Sequence, residues 1–355
     1  MLAESDKNIY SRLPGLLLPW YAREKRDLPW RRDRDPYHIL VSEIMLQQTR
    51  AETVRGYYDR FLTALPALED LAACPEPQLL KLWEGLGYYS RARNLQKSAR
   101  AVIERYGGRF PETYQGLLSL PGVGPYTAGA IASICFELPC AAVDGNVLRV
   151  IARLTGDGRP VDLPQVRREV SAELERVYPP GRCGAFTQAL MELGAIVCTP
   201  RSPDCARCPA EAFCAARRQD RTGTLPVRSP KKPKRAEDHT VFLLQCGEDF
   251  ALCRRTEKGL LSGLWQFPNT DGHLSAAEAL GWAQAAGVQP NSLCRKLLRK
   301  HIFTHIRWEM VSYHILCRHR AEGFIWASAK DIRDQYALPT AFRLFLEEAP
   351  VPGRT

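Results

Sequence analysis

The sequence lacks two features that mark membrane and exported proteins. It contains no run of eighteen apolar residues, and polar residues interrupt the start of the chain at Ser5, Asp6, Lys7 and Asn8. A membrane-spanning helix needs about 20 mostly apolar residues, and a secretory signal places an apolar segment after a charged one. We therefore expect a chain that neither crosses a membrane nor is exported.

The sequence also lacks a balance of charge. Lys and Arg total 49 against 39 Asp and Glu, a net charge of +10, and the excess is spread along the chain. Such a protein favours a polyanionic partner, with nucleic acid first among them. With 355 residues and 45% hydrophobic composition, the chain is long enough for two domains that each bury a core.

Patterning separates a helical half from a linker. Apolar residues recur at three and four positions as far as about Ala216, which predicts an all-α domain over 1–221. Residues 222–238 are rich in Pro and in positive charge, and they predict either a solvated connector or a strap that contacts phosphates. Its basic run consists of Lys231, Lys232, Lys234 and Arg235.

The remaining stretch, 239–348, has a different period. Residues 241–245 and 250–252 flank Gly247 as the strands of a hairpin would. Apolar and polar residues also alternate from Ile302 to Trp308, which predicts strand. We therefore predict a multidomain protein with an all-α domain followed by an α+β domain.

Twelve cysteines show no pairing pattern, so we expect reduced thiols. Four of them fall within seventeen residues on a proline-rich loop: Cys198, Cys205, Cys208 and Cys214. Four sulfurs suit a cubane 4Fe-4S cluster or tetrahedral zinc. Zinc usually has two short knuckles, and here a single pair has that spacing, so the pattern favours the cluster. Zinc and unligated core cysteines remain alternatives.

This spacing resembles the cluster loop, here 198–214, of the endonuclease III superfamily of helix-hairpin-helix DNA glycosylases. The resemblance implies that one 4Fe-4S cluster is buried structure that supports a basic, DNA-facing loop and takes no part in catalysis. Arg201 and Arg207 would then contact phosphates.

Residues 120–124, Leu-Pro-Gly-Val-Gly, predict a tight turn between helical stretches. Gly122 and Gly124 let backbone amides approach a phosphate, and the following helix presents its positive end. The segment resembles the superfamily's helix-hairpin-helix, here over about 117–130. In strand-cutting members a lysine two residues after the second glycine forms a Schiff base. Tyr126 stands there, so the resemblance implies hydrolysis without an obligatory lyase step.

Two carboxylates are candidates for catalysis. Hydrolysis of a purine glycosidic bond needs a proton for the leaving base and negative charge beside the cationic sugar. Glu43 lies at the edge of an apolar helical stripe, where burial would raise its pKa. Asp144 precedes an apolar helical run and predicts an N-cap, which keeps a carboxylate ionised. From spacing alone, a solvated helix glutamate remains the alternative for Glu43.

The stretch around Glu43, Val-Ser-Glu-Ile-Met-Leu-Gln-Gln-Thr, resembles the catalytic helix of the adenine glycosylase family. The resemblance implies that Glu43 protonates adenine and that Asp144 stabilises the sugar cation, with or without a covalent ester. Asn146 would hold one of the carboxylates by hydrogen bonding, and Tyr126 would complete the catalytic set. Residues 28–31, Leu-Pro-Trp-Arg, resemble the family's pocket entry, so Arg31 would contact substrate.

A base inside a duplex must be flipped out before it can react. Gln48 and Thr49 offer donors and acceptors for the edge of the base left behind, and Tyr88 offers a ring to stack on it. A core aromatic is the alternative for Tyr88. Residues 83–94 resemble the family's wedge segment, however, which implies that Leu86 and Tyr88 contact the DNA.

The C-terminal half resembles the MutT-like, or Nudix-like, domain that this family carries, with its best match at 263–268. A Nudix hydrolase needs a set of carboxylates to bind magnesium, and here Asp271 and Glu278 are followed by small residues. We expect this half to bind without hydrolysing, which argues against a nucleotide-pool diphosphatase.

Phe303, Thr304 and His305 stand where the family has a Phe-Ser-His loop that contacts oxidised guanine. Thr304 replaces the serine, keeps its hydroxyl and adds a methyl group. A strand-end aromatic and a satisfied histidine are the alternatives for the flanking residues.

Together, these resemblances imply a monofunctional adenine DNA glycosylase of the bacterial cytoplasm that acts as a monomer. Its partner would be double-stranded DNA with adenine opposite 8-oxoguanine or guanine. The alternatives are a bifunctional oxidised-pyrimidine glycosylase and lyase, and a non-catalytic iron–sulfur DNA-binding protein in which Glu43 and Asp144 are ordinary surface and capping residues.

Overall fold

A computed structural model of the chain describes residues 4–230, 233–256 and 259–348. Lys231 and Lys232 of the predicted linker lie outside the described residues. The described chain divides into two compact units. The first comprises Met1–Ala73 and Arg93–Pro230, and the second comprises Cys74–Ala92 and Lys231–Thr355.

Helices make up the first unit and part of the second. In chain order the α-helices of the described residues are α1 (Glu4–Glu24), α2 (Pro36–Leu46), α3 (Ala51–Ala64), α4 (Leu68–Ala73), α5 (Glu76–Leu82), α6 (Ser90–Tyr106), α7 (Tyr114–Leu118), α8 (Pro125–Phe136), α9 (Gly145–Thr155), α10 (Pro164–Glu175), α11 (Cys183–Glu192), α12 (Ala215–Arg218), α13 (Ala276–Ala285), α14 (Ala329–Gln335) and α15 (Thr340–Glu347). Short 3-10 turns occur at Pro29–Arg31, Cys205–Arg207 and Glu211–Phe213, and a π-helical turn occurs at Leu193–Val197.

Helix α8 is the central helix of the first unit. Its sequence is rich in Ala, Gly and Ser, and its residues from Thr127 to Ile134 are all buried. A Cβ at Gly129 would lie 2.4 Å from the carbonyl oxygen of Ala141, and a Cβ at Gly184 of α11 would lie 2.9 Å from the Cα of Ile134. Small residues therefore let neighbouring backbone approach α8 closely, so its side chains are surrounded.

The predicted linker is more structured than its composition suggests. Leu225 is buried in the helical core, the Val161 amide donates to the Val227 carbonyl at 3.0 Å, and the Ser229 amide donates to Asp162 at 2.8 Å. A strand begins at Arg235, so 235–238 are extended and paired. The sequence pattern did not predict this packing, because a single apolar residue such as Leu225 among prolines and basic residues has no helical or strand periodicity.

The second unit contains a mixed sheet. Its strands are β1 (Arg235–Cys246), β2 (Asp249–Arg254), β3 (Trp265–Gln266), β4 (Asn269–Asp271), β5 (Pro290–Ile302), β6 (Ile306–Cys317) and β7 (Ile325–Ser328). The order is β3-β2-β1-β6-β5, with β4 beside β1 and β7 beside β2. Strands β1 and β6 run parallel, and the other neighbours are antiparallel.

Helices cover both faces of this sheet. Val241 and Leu243 of β1 pack in one core with α14 and α15, whereas Phe242 and Leu244 pack in a second core with α13. This two-residue alternation is the period of a strand. Trp282 of α13 stacks on Phe242 with ring centroids 3.9 Å apart.

The predicted architecture, an all-α part followed by an α+β part, agrees with these units. The predicted hairpin is present, with Gln245 opposite Phe250 and Gly247 at φ 63°. The prediction of continuous strand from Ile302 to Trp308 is wrong, because β5 ends at Ile302 and β6 begins at Ile306. The intervening turn is closed by the Phe303 amide, which donates to the Ile306 carbonyl at 2.9 Å. Within the described ranges, no helix has the length and apolar character needed to cross a membrane.

The packing of α8 generates a stability prediction. Gly129→Ala should lower the free energy of unfolding by about 1–3 kcal/mol, because the added methyl group overpacks a buried backbone contact. Gly15→Ala in α1 is the matched control, since nothing lies within 4 Å of the added Cβ. That change should raise the free energy of unfolding by about 0.5–1 kcal/mol. Urea unfolding of both variants measures the difference, and equal effects would contradict the close approach at Gly129.

Candidate active site and DNA-reading loops

A cavity of about 830 Å³ opens in the first unit. Its walls come from α2, α8, α9 and α11. All seven residues that the sequence predicted for catalysis or base contact in this unit, apart from the hairpin glycines, line it: Arg31, Glu43, Gln48, Thr49, Tyr126, Asp144 and Asn146. Side chains that are far apart in sequence therefore meet around one space of the size that small-molecule sites have.

Glu43 and Tyr126 form the buried contact of the cavity. Asp35 caps α2 by accepting from the Tyr37 amide at 2.8 Å, and Glu43 lies two turns into this helix with 5% of its surface exposed. Tyr126 is the second residue of α8, and its hydroxyl donates to Oε2 of Glu43 at 2.6 Å. The carboxyl group is thus held from one side while the cavity is open on the other.

The buried environment of this contact raises the pKa of both side chains. Burial raises the pKa of Glu43 to about 7, against the lowering effect of the Tyr126 hydrogen bond. Burial and the neighbouring Glu43 raise the pKa of Tyr126 well above its usual value, so the phenol keeps its proton and donates it. Near neutral pH the Glu43 carboxyl therefore exists in both protonation states, which is the condition for general acid and base work.

Asp144 is the N-cap of α9. Its Oδ1 accepts from the amides of Asn146 at 2.8 Å and Val147 at 2.7 Å, and its Oδ2 accepts from Nδ2 of Asn146 at 2.8 Å. Burial raises the pKa of Asp144, whereas these three hydrogen bonds act in the opposite direction. The N-terminus of α9 adds positive potential at the same place.

Arg149 links this cap to the cysteine loop. Its Nη2 donates to Oδ1 of Asn146 and to the carbonyl of Gly194, both at 2.8 Å, and its Nε donates to the carbonyl of Cys198 at 2.8 Å. Gly194 allows this approach, since a Cβ there would lie 2.7 Å from Cβ of Asn146. Sequence reasoning missed Arg149, although a basic residue within the buried face of an apolar helix was a signal for it.

Sequence reasoning also missed a buried ion pair. Glu192 of α11 has no exposed side-chain surface and accepts from Arg26 Nε at 2.8 Å and from Arg31 Nη2 at 2.7 Å. Burial alone would raise the pKa of Glu192, but the hydrogen bonds from Arg26 and Arg31 lower it to about 2. Glu192 thereby fixes Arg31 in the cavity wall. A glutamate within the apolar run of α11 was the available signal.

Gln48 and Thr49 follow α2 at the rim of the cavity. Gln48 is exposed and adopts φ 59°, and the Thr49 amide donates to the Leu46 carbonyl at 3.2 Å. The positive φ turns the chain away from the helix direction. Both side chains are thus placed where a ligand entering the cavity would pass them.

The hairpin of 120–124 connects α7 to α8. The Val123 amide donates to the Leu120 carbonyl at 3.1 Å, and Gly122 adopts φ 76° with its Cα against Asn94, where a Cβ would lie 2.5 Å from Cβ of Asn94. Gly124 has open space around it. The space beside Gly124, at the start of α8, is what the approach of a phosphate requires.

The four candidate cysteines line one small cavity beside α9. Arg153, which is buried, donates to Sγ of Cys198 at 3.4 Å and to the carbonyls of Thr199 at 2.7 Å and Pro200 at 3.0 Å. Among the described residues, no group of three or more His, Cys, Asp or Glu side chains is arranged to hold a metal ion. Arg201 and Arg207 are exposed on the same loop, with Arg207 3.2 Å from Glu24.

In the second unit, residues 85–89 form an exposed turn that we call the 85–89 loop. Gly85, Gly87 and Tyr88 adopt φ of 97°, 68° and 47°. Arg91 Nη2 donates to the carbonyls of Leu86 at 2.9 Å and Gly87 at 3.2 Å. Leu86 is buried, whereas the Tyr88 ring is 47% exposed. A non-glycine residue with positive φ marks a backbone that its surroundings hold in place.

Phe303, Thr304 and His305 form the turn between β5 and β6, which we call the 303–305 loop. Phe303 packs edge-on against Trp308 with ring centroids 4.9 Å apart, whereas Thr304 and His305 are exposed. Lys234 donates to the Phe303 carbonyl at 2.7 Å. The hydroxyls of Thr304 and Tyr88 contact each other, so the two loops that the sequence assigned to DNA reading meet.

The carboxylates that follow β3 are not arranged as a magnesium site. Asp271 has 98% of its side chain exposed, and Glu278 accepts from the Ser275 amide at 2.7 Å as part of a capping box on α13. Asp271 also lies 3.2 Å from Nδ1 of His239. That this unit binds without hydrolysing stays a prediction.

Comparison with protein families gives two matches. Residues 41–180 match the HhH-GPD superfamily base excision DNA repair proteins, and residues 240–348 match the NUDIX domain. The fold class predicted from sequence is confirmed by these matches. Glu43, Tyr126 and Asp144 of the cavity lie within the first match, and the 303–305 loop lies within the second.

Curated relatives extend over most of the chain. The human adenine DNA glycosylase is 38% identical over 339 residues, which cover 80% of this chain and 60% of that protein. The rat adenine DNA glycosylase is 34% identical, with 93% of this chain and 77% of the relative covered. The chain therefore spans about three fifths of the human relative's length and more than three quarters of the rat one's.

Solved structures match the helical part. A thermostable thymine-DNA glycosylase is 35% identical with a TM-score of 0.55, and the match covers 60% of this chain and 97% of that one. Endonuclease III in a non-covalent DNA complex is 27% identical with a TM-score of 0.52, over 62% of this chain and 99% of that one. The resemblance found in the sequence is thereby confirmed, and the chain belongs to the adenine DNA glycosylase family of the HhH-GPD superfamily.

Proposed function

We propose that this chain is a monofunctional DNA glycosylase that removes adenine paired with 8-oxoguanine or guanine. The observation that carries the proposal is the buried Glu43 carboxyl, bonded to Tyr126 at 2.6 Å in the wall of a cavity of about 830 Å³. A carboxyl with a pKa of about 7 can give a proton to a purine nitrogen and afterwards accept one from water.

In the first step a protonated Glu43 transfers its proton to a ring nitrogen of adenine. The glycosidic C–N bond breaks, the base leaves with the bonding electron pair, and the sugar becomes a cation. Asp144 supplies the negative charge that stabilises this cation, since three N–H donors and the start of α9 favour its ionised form against the effect of burial, which raises its pKa. Water then adds to the sugar and returns its proton to Glu43.

A lyase step needs an amine nucleophile in the cavity. Among the described residues that line the cavity, none is a lysine, and Tyr126 uses its hydroxyl to bond Glu43. Hydrolysis is therefore the reaction that these side chains support, and a bifunctional mechanism lacks its nucleophile.

The second unit would read the opposite base. Tyr88 presents an exposed ring that can stack in place of a flipped base. Thr304 and His305 present polar atoms on an exposed turn beside it. We propose that these residues and Phe303 recognise 8-oxoguanine, that Gln48 and Thr49 contact the edge of the orphaned base, and that Gly122 and Gly124 bind a phosphate.

The four cysteines fit one 4Fe-4S cluster in their donor chemistry. No histidine lies between Cys198 and Cys214 in sequence. Burial raises the pKa of Cys208 to about 12, so its sulfur becomes a thiolate only when a bound cation compensates the charge. Zinc sites usually have two short knuckles, and among these cysteines Cys205 and Cys208 are the single pair with that spacing. When bound, the cluster would brace the loop that carries Arg201 and Arg207.

We also propose the setting in which the chain acts. Double-stranded DNA is the partner that the basic charge favours. The chain would act as a monomer in the bacterial cytoplasm, as the family resemblance implies.

The reaction can be tested by single-turnover cleavage of duplexes with adenine opposite 8-oxoguanine, adenine opposite guanine, or an oxidised pyrimidine. Strand breaks should form at adenine and only after alkali is added. Glu43→Gln should lower the rate by roughly 10²–10⁴-fold, because it removes the proton donor. Glu104→Gln, on the exposed face of α6, is the control and should keep the rate. Breaks at the pyrimidine without alkali would support the bifunctional alternative, and no breaks would support a binding protein.

The pH dependence of the same rate tests the role of Tyr126. Glu43 must be protonated to act as an acid, so the rate should fall as the pH rises through about 7. Tyr126→Phe removes a hydrogen bond that lowers the pKa of Glu43, so this limb should move to higher pH. Tyr178→Phe, which removes a buried hydroxyl bonded to Thr187, should leave the limb in place. A limb that stays put in Tyr126→Phe would contradict the assignment.

The cofactor is tested by iron and acid-labile sulfide analysis of the purified protein. About four of each per chain are expected for a cubane cluster. Cys208→Ser should lose both and lower the melting temperature, whereas Cys294→Ser, at an exposed position, should retain them. One zinc ion per chain in place of iron would show that the cluster assignment is wrong.

A further inference from the structure

Glu84 lies immediately before the 85–89 loop and bonds to a distant part of the second unit. Its Oε1 accepts from the amide of Leu338 at 2.8 Å, and its Oε2 accepts from Nζ of Lys81 at 2.6 Å. The Lys81 ammonium also donates to the carbonyl of Tyr336 at 3.1 Å. Both carboxylate oxygens are therefore engaged, and Glu84 and Lys81 together bind the backbone of 336–338.

This arrangement differs from an ordinary surface ion pair. The Glu84 and Lys81 side chains are 16% and 20% exposed, and 254 residues separate Glu84 from Leu338. Hydrogen bonds from charged groups to backbone are stronger than neutral ones, and little solvent screens this pair. The contact is thus able to fix one segment against the other.

Hydrogen bonds within residues 83–91 make the position of the 85–89 loop depend on Glu84. Arg91 holds the carbonyls of Leu86 and Gly87, and Nε1 of Trp83 donates to the Gly87 carbonyl at 3.1 Å. Because these bonds define the loop from within, the position of its first residue sets the position of Tyr88. Five residues therefore behave as one short rigid arm with Glu84 at its base.

The segment that Glu84 binds belongs to the core beneath the 303–305 loop. Leu338 is buried in the cluster that also contains Trp308, and Phe303 packs against that cluster. Tyr336 packs edge-on against Trp265 with ring centroids 5.0 Å apart. Glu84, at the base of the 85–89 loop, thus binds a segment of the same core that supports the 303–305 loop. At the tip of the 85–89 loop, the Tyr88 hydroxyl contacts the Thr304 hydroxyl.

We propose that Glu84, supported by Lys81, is a positioning residue that fixes Tyr88 relative to Thr304 and so sets the preference for 8-oxoguanine over guanine opposite adenine. This inference rests on the proposed function. Two reading groups recognise one base well when their separation is fixed before binding. If Glu84 is removed, the separation of Tyr88 and Thr304 becomes fixed only when DNA binds, which costs binding free energy. The duplex with 8-oxoguanine depends more on contacts with these two residues than the duplex with guanine, so its excision rate should fall more.

The test compares single-turnover excision of adenine opposite 8-oxoguanine with excision opposite guanine at subsaturating enzyme. Glu84→Ala should lower the ratio of the two rates by roughly 5- to 10-fold, because part of the free energy of its buried hydrogen bonds is lost from the discrimination between the two duplexes. The rate opposite guanine should stay near that of the unsubstituted protein, whereas the melting temperature should fall, because Lys81 and the Leu338 amide lose their buried acceptor. Thr304→Val should also lower the ratio, and the double variant should lower it by less than the product of the two effects.

Glu76→Gln is the matched control. Glu76 lies in the same segment, but its ion pair with Arg254 is 3.8 Å long and exposed, so the ratio should not change. Lys81→Met provides a second variant that keeps the side-chain length, and it should lower the ratio relative to the unsubstituted protein even if Glu84→Ala fails to fold. Where both variants fold, Lys81→Met should have the smaller effect.

The outcomes separate the inference from the proposed function. An unchanged ratio in folded Glu84→Ala and Lys81→Met would overturn the inference, and so would an equal loss of both rates. Multiplicative effects of Glu84→Ala and Thr304→Val would show that Glu84 does not act through the 303–305 loop. Failure of the unsubstituted protein to excise adenine from either duplex would instead overturn the proposed function.

Discussion

Close packing around α8 is the constraint on which the helical unit depends. Its Ala and Gly residues let α2, α11 and the chain near Ala141 approach its backbone, and a single Cβ at Gly129 would meet a carbonyl at 2.4 Å. Because α8 begins directly after the glycine hairpin, the same packing places Tyr126 against Glu43. One helix thereby connects an accessible group of backbone amides at its start to the acid in the cavity.

Burial of charge in this unit is compensated at each point, which explains how the cavity keeps its shape. Glu192 is neutralised by Arg26 and Arg31, and Asp144 by the start of α9 and by Asn146. Arg149 donates to the side-chain oxygen of Asn146 and to the carbonyl of Cys198. A buried charge without such partners would cost several kcal/mol. The exception is Glu43, because burial raises its pKa to about 7 although the Tyr126 hydrogen bond lowers it, and this value suits proton transfer.

The second unit contains a mixed sheet in the segment that matches the NUDIX domain. Alternating side chains of β1 pack against both of its faces, while Asp271 pairs with His239 and Glu278 belongs to the cap of α13. The 303–305 loop joins β5 to β6, and its Thr304 hydroxyl contacts the Tyr88 hydroxyl of the 85–89 loop. A rigid core beneath exposed turns is a common way to hold recognition groups.

The sequence by itself determined the two-part architecture, the cysteine loop and the glycine hairpin, because periodicity, ligand spacing and turn residues are local properties. Spacing alone left Glu43 open to a solvated helix position, and the family resemblance was what singled out Glu43, Tyr126 and Asp144 as the catalytic candidates. It also indicated that Asp144 caps a helix, since a cap depends on its immediate neighbours. The tertiary structure decided what is nonlocal: that Tyr126 bonds Glu43 across 83 residues, that Glu192 holds Arg31, that Arg149 joins the cap to the cysteine loop, that Leu225 is buried and that Glu84 reaches Leu338. A polar side chain carries no mark in the sequence of which partner will neutralise it, because that choice is made by the packing of elements distant along the chain.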